Sequence, residues 1–220
     1  MDRQQIEMAF QGSGLMVRGG FTPDPADGLP GHVKTVVMIG NAGPEMWRQF
    51  ARSTDVEQDS DPLDRWISRV VGEIAVGLAA VPLYPSEGPP YHPFQRWARR
   101  AEQVWPSPIG PLVHIEFGLW HAYRAALLFP VDLAYPRPRP APSPCDSCAD
   151  KPCLQGCPVD ALAPGGYDVA ACAGHLGSGN GRDCLTGACL ARRACPLGRS
   201  YHYLPDQAHF HMRHFLQNHG

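Results

Sequence analysis

The apolar positions along the first 130 or so residues switch between two periods, and each switch marks an element. Residues 4–10 read as a short helix, and residues 14–21 alternate, Leu15 and Val17 against Met16 and Arg18, as a strand stopping at Gly19-Gly20. After a loop rich in Pro, Asp and Gly, residues 33–40 (VKTVVMIG) form a nearly continuous β-branched and apolar run, the pattern of a buried strand. Asn41-Ala42-Gly43-Pro44 then leads into a helix over 45–53. A strand, a small-residue turn and a helix can cradle a phosphate on helix N–H groups. Here one glycine follows Gly40 and no Lys comes after it, which favours a tight connection.

The clearest helix starts at Asp61-Pro62, with Asp61 as N-cap, Pro62 at the first helical position and Asp64 in the first turn. Leu63, Trp66, Ile67, Val70, Val71, Ile74 and Leu78 recur at helical spacing, and Arg65, Arg69 and Glu73 fall off that face. Residues 84–92, broken by three prolines and a glycine, deliver the chain to a second helix over 94–105, whose Arg96, Arg99, Arg100 and Glu102 form a solvated face. A strand at 112–115, a break at Gly118 and a longer strand at 119–128 follow. Strict alternation puts His121, Tyr123 and Ala125 on one face of the latter and Trp120, Ala122, Arg124 and Ala126 on the other. Arg124 and Trp120 then share a face, as a stacked structural pair or as part of a ligand site. Residues 131–144 are a Pro-rich extended connector. The chain closes on a helix over 206–217 carrying His209, His211 and His214, a surface or cofactor-facing helix.

Composition changes the picture in two ways. The near-neutral balance of 19 basic against 21 acidic residues in 220 advertises no polyanionic partner, so nucleic-acid binding is unsupported. No apolar run approaches bilayer-spanning length and no secretory leader opens the chain, so a soluble protein is expected. All eight cysteines lie between 145 and 195. They are spaced C-x2-C-x4-C-x3-C-P and then C-x11-C-x4-C-x5-C-P, two sets of four that each close on Cys-Pro.

A cubane iron–sulfur cluster takes one thiolate per iron, and short spacings let consecutive thiolates reach neighbouring corners. In the bacterial ferredoxin pattern the fourth cysteine of each run serves the other cluster. Applied here, Cys145, Cys148, Cys153 and Cys195 hold one [4Fe-4S] cluster, and Cys157, Cys172, Cys184 and Cys189 the second. Two four-thiolate zinc sites and a disulfide framework are the alternatives. The x4 and x5 gaps are wider than usual and bear most on the second cluster. Thiolate clusters imply a reducing cytoplasm. The expected fold is an α+β domain over residues 1–135, a connector at 136–144, a loop-rich two-cluster module at 145–204 and a C-terminal helix at 205–220.

The order of elements, together with this cysteine pattern, resembles the core of the epoxyqueuosine reductase family. The resemblance covers roughly residues 30–200. It implies a nitroreductase-like domain that binds cobalamin, followed by a ferredoxin-like module with two [4Fe-4S] clusters. The stretch from His114 through Phe117, Gly118, Trp120 and Ala122 to Arg124 is also similar to the H-P-x-[YF]-G-x-W-x-A-x-R stretch of cobalamin-processing chaperones. These resemblances imply an iron–sulfur oxidoreductase, fed by a ferredoxin- or flavodoxin-type donor, that reduces a corrinoid or a small organic substrate. A plain electron carrier and a non-enzymatic corrinoid chaperone are the other two readings. His114, Phe117, Trp120 and Arg124, with Tyr91 and His92 across from them, are the expected cofactor walls. The chain departs from the reductases where it reads WPSPIGPL, lacking the family's Lys and its general-acid Asp, with Glu102 the one carboxylate close before. It also lacks the C-terminal helical repeats of many members, so reduction of a transfer RNA base does not carry over.

Overall fold

The computed structural model describes residues 2–57, 61–163 and 165–220. In chain order its elements are α1 (Arg3–Ala9), β1 (Met16–Phe21), β2 (Thr35–Ala42), α2 (Glu45–Phe50), α3 (Pro62–Gly77), β3 (Val81–Leu83), α4 (Phe94–Ala101), β4 (Val104–Pro106), β5 (Leu112–His114) and β6 (His121–Phe129). They continue with α5 (Pro152–Gln155), β7 (Leu162–Ala163), β8 (Gly166–Tyr167), α6 (Val169–Gly177), α7 (Arg182–Gly187), α8 (Leu190–Arg193) and α9 (Pro205–His219). The chain divides into two compact units, residues 1–103 with 121–140, and residues 104–120 with 141–220.

The first unit is built on an antiparallel sheet in the order β1-β2-β6-β3. Its centre is β2, whose continuous apolar run is buried from Thr35 to Asn41, as a strand covered on both faces must be. Val36 and Met38 pack with Phe21, Phe94, Trp97, Ala126 and Leu128. Val37 and Ile39, on the opposite face, have no exposed surface. The polar member of the run is satisfied: the Thr35 hydroxyl donates to Val131 O at 2.9 Å and accepts from Leu133 N at 3.0 Å. α3 forms as its periodicity requires, burying Leu63, Trp66, Ile67, Val71 and Ala75. Asp61 precedes it in the left-handed conformation without a capping hydrogen bond.

Several expectations change. The second helix ends at Ala101, and Trp105 is instead in β4, paired with Val113 of β5. Its basic face is not simply solvated. Arg100 and Arg96 reach the fully buried Asp27 carboxylate at 2.5 and 3.2 Å, and Trp97 Nε1 donates to it at 2.9 Å. Glu102 is also withdrawn from solvent, ion-paired with Arg18 at 2.8 Å and accepting from the Tyr123 hydroxyl at 2.5 Å. Strict alternation along β6 fails because Arg124 is an extra residue between Tyr123, which faces Gly40, and Ala125, which faces Ile39. Tyr123 therefore packs with Ala126 and Leu128 and not on the face of Ala125. The turn at 42–44 is a tight connection into a helix of six residues. β3, a three-residue edge strand containing Pro82, carries too little pattern to be read from sequence.

In the second unit, β4 and β5 form a hairpin, β7 and β8 a two-residue pair, and short helices follow the cysteine turns. Gly118 and Gly198, at φ +57° and +71°, let two backbone segments cross. A Cβ on Gly118 would strike the Leu197 carbonyl oxygen, and one on Gly198 would strike that of Phe117. The crossing pins residues 114–118 beside the Cys195-Pro196 turn.

Candidate metal centre and cofactor residues

All eight cysteines are free thiols. They sort into two fours. Cys145, Cys148, Cys153 and Cys195 line a cavity of about 540 Å³, and Cys157, Cys172, Cys184 and Cys189 line another of about 350 Å³. Each cavity therefore draws three cysteines from one half of the motif and one from the other, the interleaved order. Among the described residues no three His, Cys, Asp or Glu side chains converge on a point to hold a single metal ion. A cubane carries each thiolate on a different iron, so its sulfurs surround a volume instead of a point. Cavities this size, against about 30 Å³ for one water, suit a multi-atom group better than a lone zinc ion.

Local hydrogen bonds shape both cavities. Lys151 Nζ donates to the carbonyls of Cys145 and Cys148 at 3.1 and 3.3 Å, which fixes the C-x2-C loop. The Cys157 sulfur accepts from Ala161 N at 3.3 Å. Burial pushes the Cys145, Cys153, Cys172, Cys184 and Cys195 thiols above their ordinary value, and neighbouring thiols add to the effect. Unmetallated, these groups are held as neutral thiols, and a bound metal charge is what would ionise them.

The residues proposed as cofactor walls fall in both units. In the second, His114 stacks on Phe117 at 4.3 Å between centroids, and its Nδ1 accepts from Glu116 N and Phe117 N at 3.1 and 3.2 Å. Phe117 meets Tyr201 edge-on, and the Tyr201 hydroxyl donates to Glu116. Trp120 is 1% exposed, packed with His202, Tyr203, Ala188 and Ala208. The arginine stacked on it is Arg192, 4.6 Å from the ring centroid, not Arg124. Arg192 also lies over Tyr203 and donates to Leu119 O. Trp120 Nε1 and both amide atoms of the fully buried Gln207 have no hydrogen-bond partner among the described residues. Burial, with Arg193, Arg192 and Arg199 nearby, pushes His202 below its usual value and keeps it neutral.

In the first unit, Arg124 Nε donates to Asn41 Oδ1 at 2.9 Å, His92 stacks on Trp97 at 5.5 Å, and Tyr91 is 66% exposed. Sequence reading missed Arg192, Gln207 and Tyr167. Arg192 and Tyr167 sit between cysteines of the motif, which is a usable signal, because Tyr167 lines the second cavity. Gln207 offers no such signal.

A mixed sheet-and-helix fold similar to that of this chain occurs in epoxyqueuosine reductases and in a B12-trafficking protein. Among solved structures, the chain superposes on epoxyqueuosine reductase from Streptococcus thermophilus (TM-score 0.55, 13% identity, 90% of this chain and 66% of that one). It also superposes on the Bacillus subtilis enzyme (0.53, 16%, 93% and 68%) and on the Caenorhabditis elegans B12-trafficking protein CblC (0.56, 15%, 97% and 95%). The chain thus spans just under two thirds of the length of the first of these. A further solved structure it resembles is of epoxyqueuosine reductase with an epoxyqueuosine-modified tRNA-Tyr stem loop. No family model matches the chain, and no curated protein matches its sequence. No helix among the described residues is long and apolar enough to cross a membrane.

Proposed function

We propose that this protein is an iron–sulfur oxidoreductase. Cys145, Cys148, Cys153 and Cys195 hold one [4Fe-4S] cluster, and Cys157, Cys172, Cys184 and Cys189 hold a second. The protein accepts electrons from a low-potential ferredoxin- or flavodoxin-type donor and delivers them to a corrinoid or small organic acceptor. The partition of eight thiols into two fours, one around each cavity, carries this reading. When bound, such clusters supply one-electron steps at low potential. The chain's own part is to hold the thiolates, through Lys151 and the Ala161 N–H, and to keep water from them.

For the acceptor, His114, Phe117 and Trp120 in the second unit and, independently, Tyr91, His92 and Arg124 in the first are the residues proposed as corrinoid contacts. The likeness to CblC over 95% of that chain favours a second reading, a corrinoid-handling protein without a further substrate.

The test is anaerobic purification with iron and sulfide counting, then titration with cob(II)alamin and a low-potential reductant. Two cubanes require about eight irons per chain, and the cobalamin spectrum is expected to change on addition. Eight irons with an unchanged spectrum would leave a plain electron carrier. Zinc in place of iron would overturn the redox reading.

A further inference from the structure

The two cysteine cavities share one wall. Pro108, Val113 and Ile115 line the cavity of Cys145, Cys148, Cys153 and Cys195, and Ile109, Gly110 and Pro111 line that of the other four cysteines. All six residues belong to the β4–β5 hairpin or follow it directly. The tip is fixed by Ser107 N donating to Pro111 O and Gly110 N donating to Ser107 O, both at 3.1 Å, above the Pro106–Leu112 pair. Pro108 and Ile109, adjacent in sequence, are thereby turned to different cavities. Val113 is fully buried and Pro108 and Ile109 are half-buried, while Gly110, Pro111 and Ile115 are exposed and form the outer rim.

None of these six side chains carries a charge or a hydrogen-bonding group. All the polar side chains apart from cysteine come from the other walls, Lys151, Ser143, Asp146 and Ser147 in the first cavity and Tyr167, His175 and Arg192 in the second, beside further apolar residues. Adding an electron to a cluster adds negative charge, which water and hydrogen-bond donors stabilise, so a dry apolar wall makes reduction harder. We propose that the β4–β5 hairpin is the common solvent shield of both cysteine cavities and holds the reduction potentials of both sites low. The inference rests on the cysteines being cluster ligands, as proposed above.

The experiment uses the full chain purified anaerobically, with iron counted first and each site's potential followed by EPR during a redox titration. Ile109→Thr should move one potential to a more positive value, Val113→Thr should move the other, and the double variant should move both, with the iron count unchanged. Unmoved potentials at full iron content, or both single variants moving the same site, would overturn the proposal. A measurement on the unsubstituted protein guards against variants that lose iron. In water carrying a magnetic oxygen isotope, pulsed EPR of the reduced protein should show little coupling to water oxygen near either site, and strong coupling at either would overturn the shield. A chain that binds no iron would instead remove the cluster reading beneath it, and the initial count separates that result from the others.

Discussion

Asp27 shows how much one side chain can organise. Its carboxylate is fully buried, yet Arg100, Arg96, Trp97 Nε1 and the Asp24 N–H all point at it. Burial pushes this carboxyl up, but the Asp24 N–H, the Arg100 hydrogen bond and charge, and the Trp97 bond outweigh it and hold the group below 3.8. The folded chain therefore binds this proton more weakly than the unfolded chain does. Its stabilisation is complete above the unfolded value and is lost as pH falls through the folded one. Asp27→Ala should cost about 1–3 kcal/mol near neutral pH, since it leaves the buried Trp97 Nε1 without its acceptor, while Arg100 keeps Asp24 at 3.1 Å. Thermal melts of both proteins should converge as pH drops below 3.8. A gap that stayed constant down to that range would mean that packing, not charge, explains the loss. Glu102 is shifted the other way: burial raises its carboxyl, and Arg18 and Tyr123 only partly compensate. The facing carboxylate and burial together push Tyr123 well above its ordinary value.

At the scale of elements, the crossing of residues 114–118 with the segment after Cys195 depends on two glycines that have no room for a side chain. Gly198→Ala should displace the Cys195-Pro196 turn and lower iron content at the site of Cys145, Cys148, Cys153 and Cys195, whereas Gly28→Ala, at an open turn with φ +68°, should leave it intact. Iron analysis of the two variants against the unsubstituted chain would decide, and equal iron in all three would show that the crossing does not position Cys195. The crossing also marks the limit of what was legible. β2 and α3 could be read because their periods are long and unbroken, and the grouping of the cysteines around two cavities because their spacing is explicit in the chain. β6 was placed within two residues but its faces were misassigned, since a one-residue bulge at Arg124 reverses alternation without leaving any compositional trace. The solvated reading of α4 failed for a related reason: the partner of Arg96 and Arg100 lies some 70 positions away, and a buried acid so distant is invisible to local patterning. The same non-locality hid Gln207 and the stacking of Arg192 on Trp120.

At the scale of the whole molecule, the first unit and the segment from residue 141 onward differ in what they bury. The first has a continuous core of large side chains on both faces of β2, including Phe10, Phe50, Trp66 and Trp97. From residue 141 onward, among the described residues, Leu176 is the one large aliphatic side chain that is buried, and the rest of the buried apolar set is alanine and cysteine. That segment buries little of its own beyond its packing of Ala188 and Ala208 on Trp120, and metal ligation by the cysteines, as proposed, would supply the rest of its stability. Because each four draws a ligand from the other half of the motif, the two halves should also stand or fall together. Removing iron with a chelator under reducing conditions should therefore expose residues 141–220 to amide exchange and proteolysis while β1, β2 and β6 keep their protection. Cys157→Ala and Cys195→Ala should each loosen both halves of the cysteine motif, because each removes a ligand that spans from one half to the other. Hydrogen exchange read by mass spectrometry distinguishes the outcomes. Protection across 141–220 that survived complete iron loss would show a module folded by its own packing, and the cysteines would then need another explanation.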